Sequence, residues 1–276
     1  MARLNPFTRR RLATIAENAL EAAGVVGVLP TPLEEVQRAA GIVARHDVST
    51  LPEGLAARSR ALLGALWFER RAVYVDLSQP VARRRFTDAH EAMHALCPWH
   101  EAVLREDTED ELFRATRDSI EAEANLGAGM LIFQGRRFAE RVSDEPCSVR
   151  TAQVLAVEHG ASVQATLHHC VEHEARVAAM LVAGRFPRRD DSLPVWSGTE
   201  SASFLRRFGR VTRLVPAGLP PGDMLRDLAE AARRTSVPPV IDFRLHDTGG
   251  SARDVTVEAH YNRHTFLLLF CERNAR

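Results

Sequence analysis

The feature that most constrains this chain is a His-Glu-Ala-Met-His pentad that begins at His90 and lies between Pro80 and Pro98. Proline is tolerated in the first turn of a helix but not inside it, so the two prolines predict a helix bounded by them. Residues four apart on a helix share a face, so His90 and His94 can bind one zinc ion while Glu91 reaches a water on that ion. The pentad therefore predicts a zinc-dependent hydrolytic site.

A third metal ligand is expected on another element, because a catalytic zinc ion usually takes three protein ligands and one water. Apolar positions recur near helical spacing across residues 109–133, which predicts a long helix that carries Glu121 and Glu123. Glu121 shares a face with Asn125, so the carboxylate could bind the metal while the amide orients a ligand histidine. Glu123 points about 160° away from Asn125. We therefore prefer Glu121 as the ligand, with Glu123 facing solvent or serving as an alternative ligand.

The composition is that of an ordinary globular protein, with 45% hydrophobic and 6% aromatic residues. The 36 basic residues balance 36 acidic ones, so no net field attracts nucleic acid. Every basic residue is arginine, which excludes chemistry that needs a P-loop lysine, a Schiff base or a Ser-Lys dyad. The four cysteines form no C-x-x-C pair, so neither a disulfide framework nor a thiolate zinc site is indicated.

Secondary structure on either side of the pentad follows from local composition. Three short runs of β-branched and other apolar residues predict a small sheet, at residues 42–48, 61–68 and 72–77. After the long helix, residues 149–158 and 162–183 are predicted to be helical. They are separated by His159-Gly160-Ala161, and the break resembles a helix-turn-helix corner.

The C-terminal part is predicted to be a compact α+β domain. Residues 184–194 are polar, charged and contain proline, which is typical of a linker and places a boundary near Asp190. Beyond it, a helical stretch at residues 223–234 is surrounded by strand-like runs at residues 211–215, 240–245, 255–261 and 265–271. The chain is thus predicted to be an α+β protein in three segments: a metallopeptidase domain at 1–145, a helix-turn-helix-like segment at 146–186 and a further domain at 190–276.

Two segments carry a resemblance to a known family. Arg85-Phe86-Thr87-Asp88-Ala89-His90-Glu91-Ala92-Met93-His94 resembles the R-F-T-x-A-H-E-x-x-H signature of the ImmA/IrrE family of zinc metallopeptidases. Residues 121–131 resemble that family's third-ligand helix, E-x-x-A-N followed by small residues. The likeness covers roughly residues 7–180. It departs from the family pattern at Asp88, where the family usually has an apolar residue, and at residues 131–134, where it usually has a Leu-Met-Pro-like segment.

The resemblance implies a zincin-like helical peptidase domain in which His90, His94 and Glu121 hold zinc and Glu91 is the general base. IrrE-like members carry a helix-turn-helix-like segment and a C-terminal GAF-like domain in the same order. Their activity implies cleavage of a helix-turn-helix transcriptional repressor, which would derepress genes of the radiation and DNA-damage stress response. A small-molecule signal at the C-terminal domain is compatible with this family. We do not expect direct DNA binding, because the second helix of the segment offers no basic face.

Alternatives remain open on the sequence alone. His169-Cys170-Val171-Glu172-His173 spells H-x-x-E-H, the inverted zinc pentad, which we interpret as a helix surface. A non-enzymatic regulator could use the same scaffold to bind the repressor and displace it from DNA, and manganese or iron could replace zinc. The longest apolar run, residues 266–271, is far below the ~20 residues that span a bilayer, and no export signal is evident. We therefore expect a cytoplasmic protein without membrane contact and not a digestive protease.

Overall fold

The computed structural model describes residues 4–51, 64–105, 111–215 and 217–272. Backbone contacts divide the chain into two compact units. The first comprises Met1–Phe138 and Val157–Ala161, and the second comprises Ala139–Ala156 and Ser162–Arg276. The chain is mixed α and β throughout, which confirms the predicted fold class. Among the described residues, no helix is both long and apolar enough to cross a membrane.

The first unit combines helices with a three-stranded sheet. Two of the helices in the following list, α6 and α7, contain residues of both units. The elements are α1 (Pro6–Ala22), α2 (Leu33–Ala39), β1 (Ala44–Asp47), β2 (Gly64–Trp67), β3 (Ala72–Val75), α3 (Val81–Leu96), α4 (Pro98–Arg105), α5 (Glu111–Phe133), α6 (Arg136–Ser143) and α7 (Val149–His159). The sheet order is β1-β3-β2, with β1 parallel and β2 antiparallel to the central strand. All four residues of β3 are buried, as expected for the middle strand of a small sheet. The three strands lie within the runs predicted from composition.

Helices α3 and α5 pack closely because small residues face each other along them. Ala89 and Ala92 of α3 and Ala124 and Ala128 of α5 are fully buried. At Gly127 even a Cβ atom would collide with the side chain of Met93. A larger residue there would push the helices apart, so this contact fixes the distance between the pentad helix and the helix that carries Glu121.

The end of α5 is fixed by Gln134, which lies in one of the two places where the sequence departs from the family pattern. The residue is buried and has a φ of 55°, so it ends the helix. Its side-chain amide donates to the carbonyl oxygens of Val28 (2.9 Å) and Val25 (3.3 Å), and its oxygen accepts from the Gly27 N–H (2.7 Å). The departure is therefore a polar link between the α1–α2 connection and α5.

The second unit is built on a six-stranded antiparallel sheet. Its further elements are α8 (Val163–His173), β4 (Ala178–Gly184), β5 (Leu193–Glu200), α9 (Ala202–Phe208), α10 (Val211–Leu214), β6 (Gly218–Leu219), α11 (Met224–Ala232), β7 (Val240–His246), β8 (Ala252–Tyr261) and β9 (Thr265–Glu272). The strand order is β6-β5-β4-β9-β8-β7. Apolar clusters cover both faces, and alternate residues of β4 belong to each cluster.

Three predictions for this part of the chain differ from the structure. The helix predicted over residues 162–183 ends at His173, and its second half is β4. Because β4 is buried on both faces, its sequence is a continuous apolar run that periodicity cannot distinguish from a helix. Residues 185–192, predicted as a linker, join the paired strands β4 and β5 inside the second unit. The strand predicted at residues 211–215 is the one-turn helix α10, whose Val211 N–H donates to the Glu200 carboxylate (3.0 Å).

Candidate metal centre

Three of the predicted ligands converge at one point in the first unit. The Nε2 atoms of His90 and His94 lie 3.0 Å apart, Glu121 Oε2 lies 3.2 Å from His90 Nε2, and Glu121 Oε1 lies 3.6 Å from His94 Nε2. Ligands at the Zn–N and Zn–O bond lengths of about 2.0–2.1 Å in a tetrahedral site are about 3.3 Å from one another. Two imidazoles and a carboxylate at these spacings therefore suit a zinc ion.

The charges of the three groups favour the same conclusion. The contacts of its oxygens with the His90 and His94 rings hold the pKa of Glu121 far below its ordinary value, so this carboxylate is ionised. Burial lowers the pKa of His90, but the contacts with Glu121 and the nearby charge of Glu91 raise it by more, so the net shift is upward. His90 is thus held in an environment that favours positive charge, which is also what a bound cation would experience.

Asn125 lies where the sequence placed it, beside a ligand histidine. Its Oδ1 atom is 3.1 Å from His90 Nδ1. An amide oxygen only accepts, so the hydrogen of a neutral His90 ring lies on Nδ1 and the Nε2 lone pair faces Glu121 and His94. This is the tautomer that a metal ligand requires, because a ring nitrogen that carries a proton cannot bind an ion.

Glu91 is buried next to the two histidines, with 7% of its surface exposed. Burial raises its pKa, and the charges of His90 and His94 oppose this effect only in part. The backbone N–H of Leu66 on β2 donates to its carboxylate. At Gly64, on the same strand, a Cβ atom would collide with Thr87 of α3, so glycine lets the strand approach the pentad helix closely.

Three residues beside the centre were not predicted as a group. His94 Nδ1 lies 3.0 Å from His100 Nδ1, and His100 Nε2 lies 3.1 Å from Glu123 Oε2. The Trp99 indole N–H donates to the same oxygen at 2.9 Å. Glu123 is 13% exposed, so the expectation that it faces solvent is wrong: the turn of α4 that begins at Pro98 covers it. Burial keeps the pKa of His100 well below its ordinary value, so its ring is neutral.

The site lies within a segment that matches the model of a known protein family. Residues 44–170 match the model of the M78 peptidase family, described as the IrrE N-terminal-like domain. This segment is similar to an IrrE N-terminal-like domain. The match supports a metallopeptidase family and contains every residue of the centre described above.

Comparisons over the whole chain give a likeness in fold. No match is found among curated proteins. Among solved structures, a Mycobacterium tuberculosis transcriptional regulator aligns over 95% of this chain and 76% of its own, with a TM-score of 0.56 and 14% sequence identity. At that identity the likeness shows a shared fold and nothing about residues.

Asp88 of the IrrE N-terminal-like domain is charged where the family usually has an apolar residue, and the charge is compensated. Both of its carboxylate oxygens accept from the Arg45 guanidinium, at 2.7 and 3.1 Å, and its Oδ1 accepts from Gln37 at 3.2 Å. The hydrogen bond with Asp88 raises the pKa of Arg45. The departure therefore ties α3 to β1 and α2 and leaves the metal-facing side of the helix unchanged.

The inverted pentad on α8 lies outside the centre. Glu172 Oε2 is 3.6 Å from His168 Nδ1 and 4.0 Å from His169 Nδ1, and the rings of His169 and His173 are stacked with centroids 6.3 Å apart. Within the described residues, the group of three His, Cys, Asp or Glu side chains close enough to hold a metal ion is the one in the IrrE N-terminal-like domain. This agrees with the interpretation of residues 169–173 as a helix surface.

Proposed function

We propose that the chain is a zinc-dependent, site-specific endopeptidase that cleaves a helix-turn-helix transcriptional repressor and so derepresses stress-response genes. The observation that carries the proposal is the convergence of His90, His94 and Glu121 next to a buried Glu91. The family match supports peptidase chemistry. The choice of a repressor as substrate rests on the resemblance of the pentad and third-ligand segments to the ImmA/IrrE family.

His90, His94 and Glu121 would hold the zinc ion, and bound zinc would polarise the scissile carbonyl and acidify water. Glu91 would take the proton from the attacking water and deliver it to the leaving amine nitrogen. Burial suits it to this exchange, because a raised pKa makes a carboxylate a better base and its acid form a usable donor at neutral pH. The hydrogen bond from Leu66 N–H holds the carboxylate in place beside the histidines.

The position of β2 supports an extended peptide as the substrate. In the described part of the sheet, β2 is the outer strand on the side opposite β1, and it contacts Glu91 through Leu66. An outer strand offers backbone N–H and C=O groups to which an extended segment can add as a further strand. We expect the scissile bond to be placed in this way, so that a segment of the repressor must unfold or be extended before it is cleaved.

The test is cleavage of candidate helix-turn-helix repressors from the same genome by the zinc-loaded protein. The parent chain should yield two fragments, and Glu91→Gln should slow cleavage by about 10²–10⁴-fold while metal content is unchanged. Glu172→Gln, which changes the glutamate of the inverted pentad, is the matched control and should cleave at the parent rate. Cleavage by Glu91→Gln at the parent rate would refute the mechanism.

A second candidate is a non-enzymatic regulator that binds the repressor and displaces it from DNA. It is favoured by the structural neighbour, which is described as a transcriptional regulator. A gel-shift assay separates the two functions. If Glu91→Gln releases the intact repressor from its operator as efficiently as the parent, displacement by binding explains the regulation. If release requires Glu91 and accompanies fragment formation, it is proteolytic.

A further inference from the structure

We propose that Glu123 and His100 are positioning residues that hold His94 in the tautomer and ring orientation in which it binds the metal. The proposal rests on the metal site of the proposed function, and it concerns residues that do not themselves contact the ion. Its basis is the continuous chain from His94 Nδ1 to His100 Nδ1 (3.0 Å) and from His100 Nε2 to Glu123 Oε2 (3.1 Å).

The donor-to-acceptor direction of this chain of hydrogen bonds is set by the Glu123 carboxylate. The Glu123 Oε2 atom already accepts from the Trp99 indole N–H, and an accepting carboxylate oxygen 3.1 Å from His100 Nε2 requires a hydrogen on that nitrogen. A neutral imidazole has one donor and one acceptor, which leaves the lone pair of His100 on Nδ1. His94 must then donate from its own Nδ1, and its lone pair is left on Nε2. That atom is the one that faces Glu121 and His90.

The reverse direction would inactivate the site. If His100 donated from Nδ1, His94 would accept there and would carry its hydrogen on Nε2, where it blocks metal binding. His100 Nε2 would then face the Glu123 carboxylate with a lone pair, and two acceptors 3.1 Å apart repel each other. One carboxylate two residues beyond Glu121 therefore selects the useful tautomer of a ring it does not touch.

The surroundings make the chain rigid. His100 is fully buried, so water cannot replace either of its partners. The Trp99 indole N–H donates to the same Glu123 oxygen and holds it in place. The guanidinium of Arg11 on α1 in turn stacks on the Trp99 ring, 3.7 Å from its centroid. His100 and Glu123 are therefore held in place by contacts from more than one helix. Such fixed positions allow them to orient a metal ligand.

The first test measures metal affinity by competition with a chelator of known affinity. Glu123→Gln replaces the acceptor-only group with an amide that can donate to His100, and should lower zinc affinity about 10–100-fold. His100→Phe removes the acceptor for His94 and should have a similar effect, whereas His100→Asn, whose Oδ1 can take the place of Nδ1, should keep most of the affinity. Asp118→Asn, an exposed carboxylate on the same helix, is the matched control.

The second test needs neither metal nor activity. In the metal-free parent, ¹⁵N–¹H spectra of the ring nitrogens should show His94 protonated on Nδ1 and His100 on Nε2. Glu123→Gln should increase the opposite tautomers. A general loss of packing would not exchange the two tautomers, so this readout separates positioning from a merely structural role.

The outcomes also separate this inference from the proposed function. Parent-like affinity in both Glu123→Gln and His100→Phe, or a His94 that carries no proton on Nδ1 in the parent, would overturn the positioning role even if the protein cleaves its substrate. If the parent binds no metal, the proposed function fails. The tautomers of the metal-free protein then still decide whether the chain runs from His94 to Glu123.

Discussion

Two helices of this chain carry a His/Glu pentad, in opposite order, and only the first brings a third ligand to it within the described residues. On α3, His90 and His94 meet Glu121 from α5, with ligand atoms 3.0–3.6 Å apart. On α8, His169 and His173 stack on each other, and Glu172 pairs with histidines of its own helix. The residue types and their spacing are nearly equivalent. What differs is the partner that the fold brings to each helix.

The reason lies in the packing surfaces. Helix α3 meets α5 along alanines and Gly127, and this close contact carries Glu121 to the histidines. The buried side of α8, including Leu167 and Val171, belongs to an apolar cluster with β4 and β9. The carboxylate on that face of the sheet, Glu258 of β8, accepts from the Val149 N–H at the start of α7 (2.8 Å) and is not presented to α8. A pentad therefore becomes a metal centre only where a second element supplies a carboxylate.

The strongest test of the difference between the two pentads is to remove one histidine from each and measure metal content. His94→Ala leaves only two of the three converging ligands, so we expect metal content to fall from about one ion per chain to background. His173→Ala is the matched variant on α8 and should retain the parent content. Elemental analysis of the purified proteins measures both. Zinc that persists after His90→Ala and His94→Ala are combined would mean that α8 is the metal-binding helix.

The sequence anticipates those parts of the centre that obey helical spacing. The pairs His90/His94 and Glu121/Asn125 are each four residues apart, and each pair lies on one side of its helix as expected. His100 escapes such reasoning because Pro98 ends α3 before it, and the 3.6-residue period does not continue across the break. Glu123 was predicted to face solvent or to serve as an alternative ligand for the same reason, since spacing on α5 says nothing about α4, which covers it. Contacts across such a break depend on tertiary structure.

The fold shows the same limit. Helices α3 and α5 were predicted to within a few residues because proline and apolar periodicity mark them. Strand β4 was predicted as helix because both of its faces are buried, so its pattern does not alternate. Its identity as a strand depends on pairing with β5 and β9. Strand β9 is distant in sequence, and β5 follows a loop whose composition is typical of a linker.

A smaller perturbation tests whether the close contact of α3 and α5 positions Glu121. Gly127→Leu would force a side chain into the space of Met93 and should destabilise the protein by about 1–3 kcal/mol. Zinc affinity should fall as well, because Glu121 moves with α5. Urea unfolding and chelator competition measure the two effects.

Adding Met93→Ala to Gly127→Leu makes room for the new side chain and serves as the control. The double variant should recover part of both the stability and the affinity, as coupled residues do in a double-mutant cycle. If zinc affinity stays at the parent value in Gly127→Leu while stability falls, the position of Glu121 does not depend on this contact.

The smallest expected effect compares the glutamates of the two pentads. Burial raises the pKa of Glu91, and an acid whose folded-state pKa is raised contributes stability only at low pH, which is lost as the pH rises through that pKa. At pH 7 the ionised carboxylate therefore destabilises the metal-free protein. Glu91→Gln should raise its Tm by about 2–4 °C, the shift that about 1 kcal/mol gives in a chain of this size.

The pH dependence of this gain distinguishes it from a packing effect. It should be small near pH 4, where the carboxyl group begins to ionise in the unfolded chain, grow as the pH rises, and level off above the raised pKa of Glu91. Glu172→Gln on α8 is the control and should change the Tm by much less, since the Glu172 side chain is a quarter exposed. A gain in Glu91→Gln that does not vary with pH would mean that the amide packs better, and that the buried charge of Glu91 does not destabilise the site.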